Sequence, residues 1–167
     1  MNNVIAAPRL TLRPLQLSDV KPLQSIFGDP DVMRYSLSGV LTLPQIEERV
    51  NMAITAQREE GLIHYGVVEN TTGVLIGFCG FKKSVIDAQE YVEVIYRYAK
   101  SSWGNGYATE ALKAMLMHAL PSDRVIAIIE PANSASVRVA QKAGMKVWKE
   151  TDYHGYHVQI FVYERAE

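Results

Sequence analysis

The sequence predicts an α/β fold of the α+β kind, a mixed, mostly antiparallel central sheet of about seven strands with helices on both faces. Three observations carry this. Apolar periodicity switches along the chain in the order β-α-α-β-β-β-α-β-α-β-β. Hairpins in the middle and at the end of that order pair strands antiparallel. The β-α-β passages of the second half bring strands parallel, so the sheet is mixed. At 167 residues and 48% apolar composition, the chain has the size and core of one domain. No repeat, low-complexity tract or long linker divides it. It reads as a single domain over residues 1–167, with its core at about 9–164.

Each element has its own signal. Arg9-Leu10-Thr11-Leu12-Arg13 alternates as a strand does, and Pro14 ends it. Ser18 and Asp19 offer N-cap chemistry for a short helix to about Phe27, and Gly28-Asp29-Pro30-Asp31 is turn chemistry. Thr42 caps a longer helix, Pro44 to about Glu60, with Pro44 in the first turn and Gly61 as its stop. His64–Glu69 and Val74–Lys82 form a hairpin across Asn70-Thr71-Thr72-Gly73. A third strand runs from about Gln89 to Tyr98. Tyr107–Leu120 puts Ala108, Ala111, Leu112, Met115 and Ala119 on one helical stripe, ended by Pro121. Arg124–Glu130 is a short apolar strand. Ser134–Ala143 is a helix stopped by Gly144, and Met145–Thr151 with His157–Tyr163 closes the sheet.

Composition narrows the class. Seventeen basic residues against eighteen acidic ones give a net charge of -1. That supplies no long-range field for nucleic acid or an anionic membrane, and neither DNA nor membrane is expected as a partner. Cys79, inside an apolar run, reads as a small buried residue with no disulfide to make. The start, Met1-Asn2-Asn3-Val4, lacks the basic and apolar blocks of a signal peptide. A cytoplasmic protein, monomer or homodimer, is the expectation. His154 and His157 stand on a turn and a strand start without a cysteine partner, so no metal site is expected.

The informative stretch runs from Glu93 to Ala111. A strand ends at Tyr98, a loop turns through Trp103-Gly104-Asn105-Gly106, and a helix opens at Tyr107. The glycines let backbone approach a ligand closely. The first-turn amides of the helix lack internal partners and carry the positive end of the dipole, which suits a pyrophosphate. A plain tight strand-to-helix connection is the alternative reading of the glycine pair alone.

The wider pattern is far more specific. Trp103-Gly104-Asn105-Gly106-Tyr107-Ala108-Thr109-Glu110-Ala111, with Glu93 and Tyr96 before it, resembles the Gcn5-related N-acetyltransferase (GNAT) superfamily. Within it the chain resembles the ribosomal-protein N-terminal acetyltransferase branch (RimJ/RimL-like). Arg9 to Pro14 is similar to that branch's opening strand, and Asp29 to Tyr35 to its following loop. Asn133-Ser134-Ala135-Ser136, followed by Lys142-Ala143-Gly144-Met145, is similar to its late helix. Three residues depart from the pattern. Trp103 stands where the superfamily's phosphate loop usually has Gln or Arg, Asn105 replaces a Lys or Arg, and Ile95 replaces a strand glycine.

The resemblance implies a GNAT fold whose strand ending at Tyr98 splays from the Arg124–Glu130 strand, with acetyl-CoA in the gap. Backbone groups of Arg97 and Tyr98 would bind the pantetheine arm like an added strand. Trp103, Gly104, Asn105, Gly106, Tyr107, Ala108 and Thr109 form the pyrophosphate loop, with amides from Gly104 to Thr109 as donors. The implied reaction is direct attack of a primary amine on the thioester in a ternary complex, with backbone N–H near Val94 to Tyr96 for the oxyanion. The expected acceptor is a protein or peptide N-terminal α-amine. A small amine such as a polyamine or aminoglycoside, and a silent CoA-binding module, are the alternatives.

Strand alternation puts Val92, Val94, Tyr96 and Tyr98 on a core face and Tyr91, Glu93, Ile95 and Arg97 on the other. Glu93 is read two ways, as a general base acting through water or as a solvated or Arg-paired carboxylate. Ser136 is the candidate acid or hydrogen-bond donor toward the leaving sulfur. Asn133 is either a pantetheine ligand or a plain N-cap, for which Ser134 competes. Lys142 is either a phosphate contact or a solvated lysine. Trp148, Tyr153 and Tyr156 read as ordinary strand aromatics, with a cleft wall as the other reading. Glu47, Glu48, Glu59 and Glu60 read as a solvated helix face.

Overall fold

The computed structural model of the chain describes residues 3–166. Its strands are β1 (Ile5–Ala6), β2 (Leu10–Pro14), β3 (His64–Glu69), β4 (Leu75–Ile86), β5 (Gln89–Tyr98), β6 (Arg124–Ile129), β7 (Lys146–Tyr153) and β8 (Tyr156–Glu164). Its helices are α1 (Gln24–Phe27), α2 (Leu43–Glu60), α3 (Tyr107–His118) and α4 (Ser134–Lys142). The eight strands form one sheet in the order β1-β2-β3-β4-β5-β6-β8-β7. Every pairing is antiparallel except β5 with β6. The strand beyond the seven expected is β1, two residues on the sheet edge, too short to show alternation in sequence.

Local chemistry explains the boundaries. Thr42 caps α2 by accepting from the Gln45 amide while the Gln45 side chain accepts from the Thr42 amide, and Gly61 ends the helix at φ 70°. The β4–β5 hairpin turns at Asp87 and Ala88, both with positive φ. The short helix expected from Ser18 to Phe27 is instead a 3₁₀ turn at Leu17–Asp19 followed by the single turn of α1. Asp19 is drawn elsewhere. Its carboxylate takes two 2.8 Å bonds from the Arg13 guanidinium and one from the Gln16 amide. That bidentate pair pins the end of β2.

Helices α3 and α4 cover one face of the sheet, where Leu112, Met115 and Ala140 pack against Val94, Tyr98, Val125 and Phe161. Helices α1 and α2 cover the other face of the first strands, where Ile26, Phe27, Ile46 and Val50 meet Leu75 and Phe78. Cys79 is buried in the first layer. The β5–β6 junction is the weak seam. Its only registered pair is Glu93 with Ile126, so the strands part toward the C-terminal end of β5. Two half-sheets meet there, and the opening between them holds the candidate site.

Candidate active site

The parting of β5 from β6 leaves backbone groups of β5 without a strand partner. The β4–β5 register runs unbroken from Ile86–Gln89 to Gly77–Tyr98, and the Ala99 amide donates to the Ile76 carbonyl at 2.8 Å. Bonded and non-bonded pairs alternate along such a ladder. Arg97 and Ile95 therefore turn their backbone groups toward β4, whereas Tyr96 and Tyr98 turn theirs toward the gap. The expectation for the Arg97 backbone is corrected by this alternation. Its amide and carbonyl belong to the β4 ladder, and Tyr96 takes its place at the gap. The Tyr98 carbonyl also accepts from the Trp103 indole N–H at 2.9 Å.

Trp103 thus folds the following loop back on the strand. Asn105 turns inward on the same loop, its amide nitrogen donating to the Ser102 and Trp103 carbonyls at 3.0 and 3.3 Å. Gly104 and Gly106 hold φ of 82° and 77°, where an L side chain is strained. Gly106 caps α3, and the first bond within the helix is from the Glu110 amide to the Gly106 carbonyl. The Tyr107, Ala108 and Thr109 amides precede that bond, and no side chain caps them. They point outward with the helix dipole behind them.

From the other side, Arg9 fastens this helix end. Its guanidinium donates to Glu110 at 2.8 Å, its amide donates to the other Glu110 oxygen, and it lies 4.4 Å from the Tyr107 ring centroid. The Tyr107 hydroxyl donates to Glu69 on β3.

These elements wall a cavity of about 770 Å³. Arg97, Tyr98, Trp103, Gly104, Gly106, Tyr107, Ala108, Thr109, Asn133 and Ser136 line it, as do Arg34, Tyr35, Lys100 and Arg138. Three cationic side chains, Arg34, Lys100 and Arg138, line it with one carboxylate, Asp31. The Lys100 ammonium bonds Asp31 directly and holds its carboxyl below the usual range. That charge balance favours an anionic occupant. Asn105 and Lys142 lie outside the lining. The Asn105 side chain is spent on the loop, and Lys142 sits in the last turn of α4 while the cavity touches only its first turns. Arg138, one turn earlier, is the basic residue on α4 that faces the space.

A second cavity of about 270 Å³ lies on the α2 side of the seam and shares Tyr35, Tyr96, Arg97, Asn133 and Ser136 with the first. Glu93 lines it, in contact with Ser84, whose hydroxyl donates to the carboxylate at 2.6 Å. Glu93 lies on the expected face of β5, but that face is covered, and the residue is only 8% exposed. The apolar cluster of Ile86, Val158 and Ile160, with Tyr91 and Tyr153, closes over this part of the sheet. Desolvation raises the Glu93 pKa, while the Ser84 hydroxyl and the charges of Lys82 and Arg97 hold the rise back. No ion pair with Arg97 forms, so neither a solvated nor a salt-bridged carboxylate describes it.

Asn133 caps α4, its oxygen accepting from the Ser136 amide at 3.3 Å. The cap reading is therefore the one found, and the side-chain NH2 stays on the cavity wall. Tyr96 reaches across the seam, its hydroxyl donating to the Ser136 carbonyl at 2.9 Å. Of the three late aromatics, Tyr153 and Tyr156 line the second cavity. Trp148 stacks instead on Tyr91, Arg124 and Lys149. Glu47, Glu48 and Glu60 lie along a different surface of α2. Among the described residues, no group of three or more His, Cys, Asp or Glu is placed to hold a metal ion. None of the described helices is long and apolar enough to cross a membrane.

The acetyltransferase (GNAT) domain profile matches residues 9–146. The chain belongs to the GNAT acetyltransferase family. GNAT enzymes take their acetyl group from acetyl-CoA, and the seam between β5 and β6 is where this GNAT chain opens. It is 34% identical to the uncharacterized protein YkkB of Bacillus subtilis, over 96% of this chain and 94% of that one. A GNAT-family acetyltransferase from Bacillus anthracis superposes with a TM-score of 0.79 at 25% identity, covering 95% of each chain. The RimL ribosomal L7/L12 α-N-protein acetyltransferase in complex with coenzyme A superposes at 0.82 with 18% identity, covering 98% of each chain, a likeness of fold.

Sequence reasoning missed the cationic residues that line the two cavities, Arg34, Arg49, Lys82, Lys100 and Arg138. They come from the loop after α1, from α2, β4, the loop after β5 and α4, and only the fold gathers them. Arg97, singled out for its backbone, is present by its side chain. One signal was available: Lys82 and Arg97 fall on the same face of β4 and β5 as Glu93, once the hairpin register is counted from its two-residue turn.

Proposed function

We propose that this enzyme transfers the acetyl group of acetyl-CoA to the α-amine of a peptide or protein N-terminus, as its resemblance to the RimJ/RimL-like branch suggests. The observation that carries the reading is the meeting of two cavities at the sheet seam, the larger one cationic, the other holding a buried carboxylate. In this reading the diphosphate sits on the Tyr107, Ala108 and Thr109 amides, whose positive dipole end and neighbouring Arg34, Lys100 and Arg138 suit it. The pantetheine arm pairs with the free backbone edge at Tyr96 and Tyr98. The amine enters from the α2 side.

The chemistry then follows from proton balance. The amine nitrogen bonds to the thioester carbonyl carbon, and the carbonyl oxygen takes on charge beside the Tyr96 amide, which has no strand partner. Glu93 takes the amine proton through water. The C–S bond breaks, and the thiolate leaves toward the Ser136 hydroxyl. An α-amine has a pKa of about 7.7–8.0 and a lysine amine about 10.4. Near neutral pH the α-amine is already partly uncharged, so a single carboxylate of raised pKa suffices as base. The cationic Arg49, Lys82 and Arg97 around that carboxylate weigh against a polyamine or an aminoglycoside, which would bring further positive charge.

The test is steady-state thiol release from acetyl-CoA with N-terminal peptides, a lysine side-chain amine, spermidine and an aminoglycoside. Higher kcat/KM for peptide α-amines is expected. Exclusive turnover of the polycations would overturn the proposal.

A further inference from the structure

We infer that the acceptor carries a carboxylate close to its reacting amine, bound by the guanidinium groups of Arg49 and Arg97. The inference rests on the acetyl-transfer reading of the seam and adds the chemical class of the acceptor.

Three cationic side chains line the smaller cavity, Arg49 from α2, Lys82 from β4 and Arg97 from β5. Lys82 stands directly across the hairpin from Glu93, and Arg97 stands four residues along the same strand face. None of the three makes an ion pair or side-chain hydrogen bond among the described residues, although Arg97 is largely withdrawn from water. Burial lowers the Arg97 pKa, Glu93 offsets this in part, and Arg49 adds repulsion. The same positive field reaches His64 at the start of β3. Burial first, and then Lys82 and Arg49, push its pKa down to about 4, so it adds no charge near neutral pH.

Two guanidiniums within mutual influence at a cavity wall, without a carboxylate of their own, form an incomplete ionic site. The two carboxylates present do not complete it. Glu93 is bonded to Ser84, and Glu130 has no ion pair with any of the three cations. A guanidinium recognises a carboxylate in plane with two parallel N–H···O bonds, which fixes orientation as well as charge. Holding an anion at Arg97 would leave the amine of the same molecule on the Glu93 side, four strand residues away along one face. A cationic acceptor would meet repulsion at the same position.

A carboxylate beside an amine has two sources, an acidic side chain next to a peptide N-terminus or the α-carboxylate of a free amino acid. The experiment separates them with matched pairs. Acetylation is measured for peptides that differ only in Asp, Asn or Lys at the second position, and for an amino acid against its amide. Wild type is compared with Arg49→Gln and Arg49→Glu, changes at an exposed helix position that leave the core untouched.

In at least one pair, the carboxylate form should have kcat/KM about tenfold or more above its neutral partner, from charge-assisted bonds of the usual strength. Arg49→Gln should shrink that ratio severalfold, Arg49→Glu should invert the Asp-to-Lys order, and added salt should compress it. Which pair responds tells the source. Equal kcat/KM within both pairs, or a preference untouched by both variants, would overturn the inference while leaving acetyl transfer intact. A protein that binds acetyl-CoA and acetylates none of these amines would overturn the reading beneath it, and the inference with it.

Discussion

Replacing Gly106 tests the phosphate loop at its narrowest point. Gly106 holds φ 77° and ψ 11° as the N-cap of α3. A side chain in that conformation costs roughly 1–2 kcal/mol, and somewhat more when β-branched. A Cβ there would lie 3.6 Å from an Arg9 nitrogen, ordinary contact, so the protein itself has room for it. Gly106→Val should therefore fold, with Tm lower by roughly 2–8 °C for a chain of this size. Binding should suffer more. Relief of the strain turns the peptide planes that aim the Tyr107 and Ala108 amides, and loss of one charge-assisted bond is about 1.5–3 kcal/mol. Calorimetric titration with CoA should show affinity weakened about 10- to 100-fold. The control is acetyl-pantetheine, which has the thioester but no diphosphate. Its kcat/KM should be nearly the same in wild type and variant. An unchanged CoA affinity, or an equal loss with both acyl donors, would refute the assignment of the diphosphate to this loop.

Three further outcomes are expected. Glu93→Gln should lower kcat by about 10²- to 10⁴-fold and remove the limb of the pH–rate profile that rises as Glu93 deprotonates. Because folding raises the Glu93 pKa, its protonated form is favoured in the native state, and the associated stability is lost as pH climbs from about 4.3 through the folded value. The glutamine variant escapes that loss, so its Tm relative to wild type should improve with rising pH; a constant difference would contradict the burial argument. Tyr96→Phe leaves the Ser136 carbonyl without its donor and should cost about 1 kcal/mol in denaturant unfolding, with a raised acetyl-CoA KM. Glu110→Gln weakens the partly exposed pair with Arg9 and should cost less than about 1 kcal/mol, an effect that fades in high salt.

The fold was readable where local chemistry decides it. Thr42 and Gly61 bracket α2 through capping, and the Gly104–Gly106 turn announces the start of α3 through positive φ and unpaired amides. Those signals lie within a few residues of their effects. The face assignment on β5 was correct by alternation, and Val94 and Tyr98 do sit in the core. It misjudged the surroundings of Glu93 because Tyr153 and Val158, some sixty residues later, line the same cavity and help enclose it. Lys142 and Arg138 show the same limit. Both are basic residues on one amphipathic helix, and only the direction of α4 relative to the seam decides which of them meets the cavity. The helix expected at Ser18 failed for a similar reason, since Asp19 is committed to Arg13 across a turn.

Backbone amide shifts on titration with CoA test the central claim most directly. The largest changes should fall on the Gly106 to Thr109 amides at the head of α3, on Tyr96 and Tyr98 at the free edge of β5, and on Ser136 across the seam. Changes confined to another part of the molecule, such as the groove between β1 and the end of α3 lined by Ile63, Leu116 and Tyr163, would contradict it.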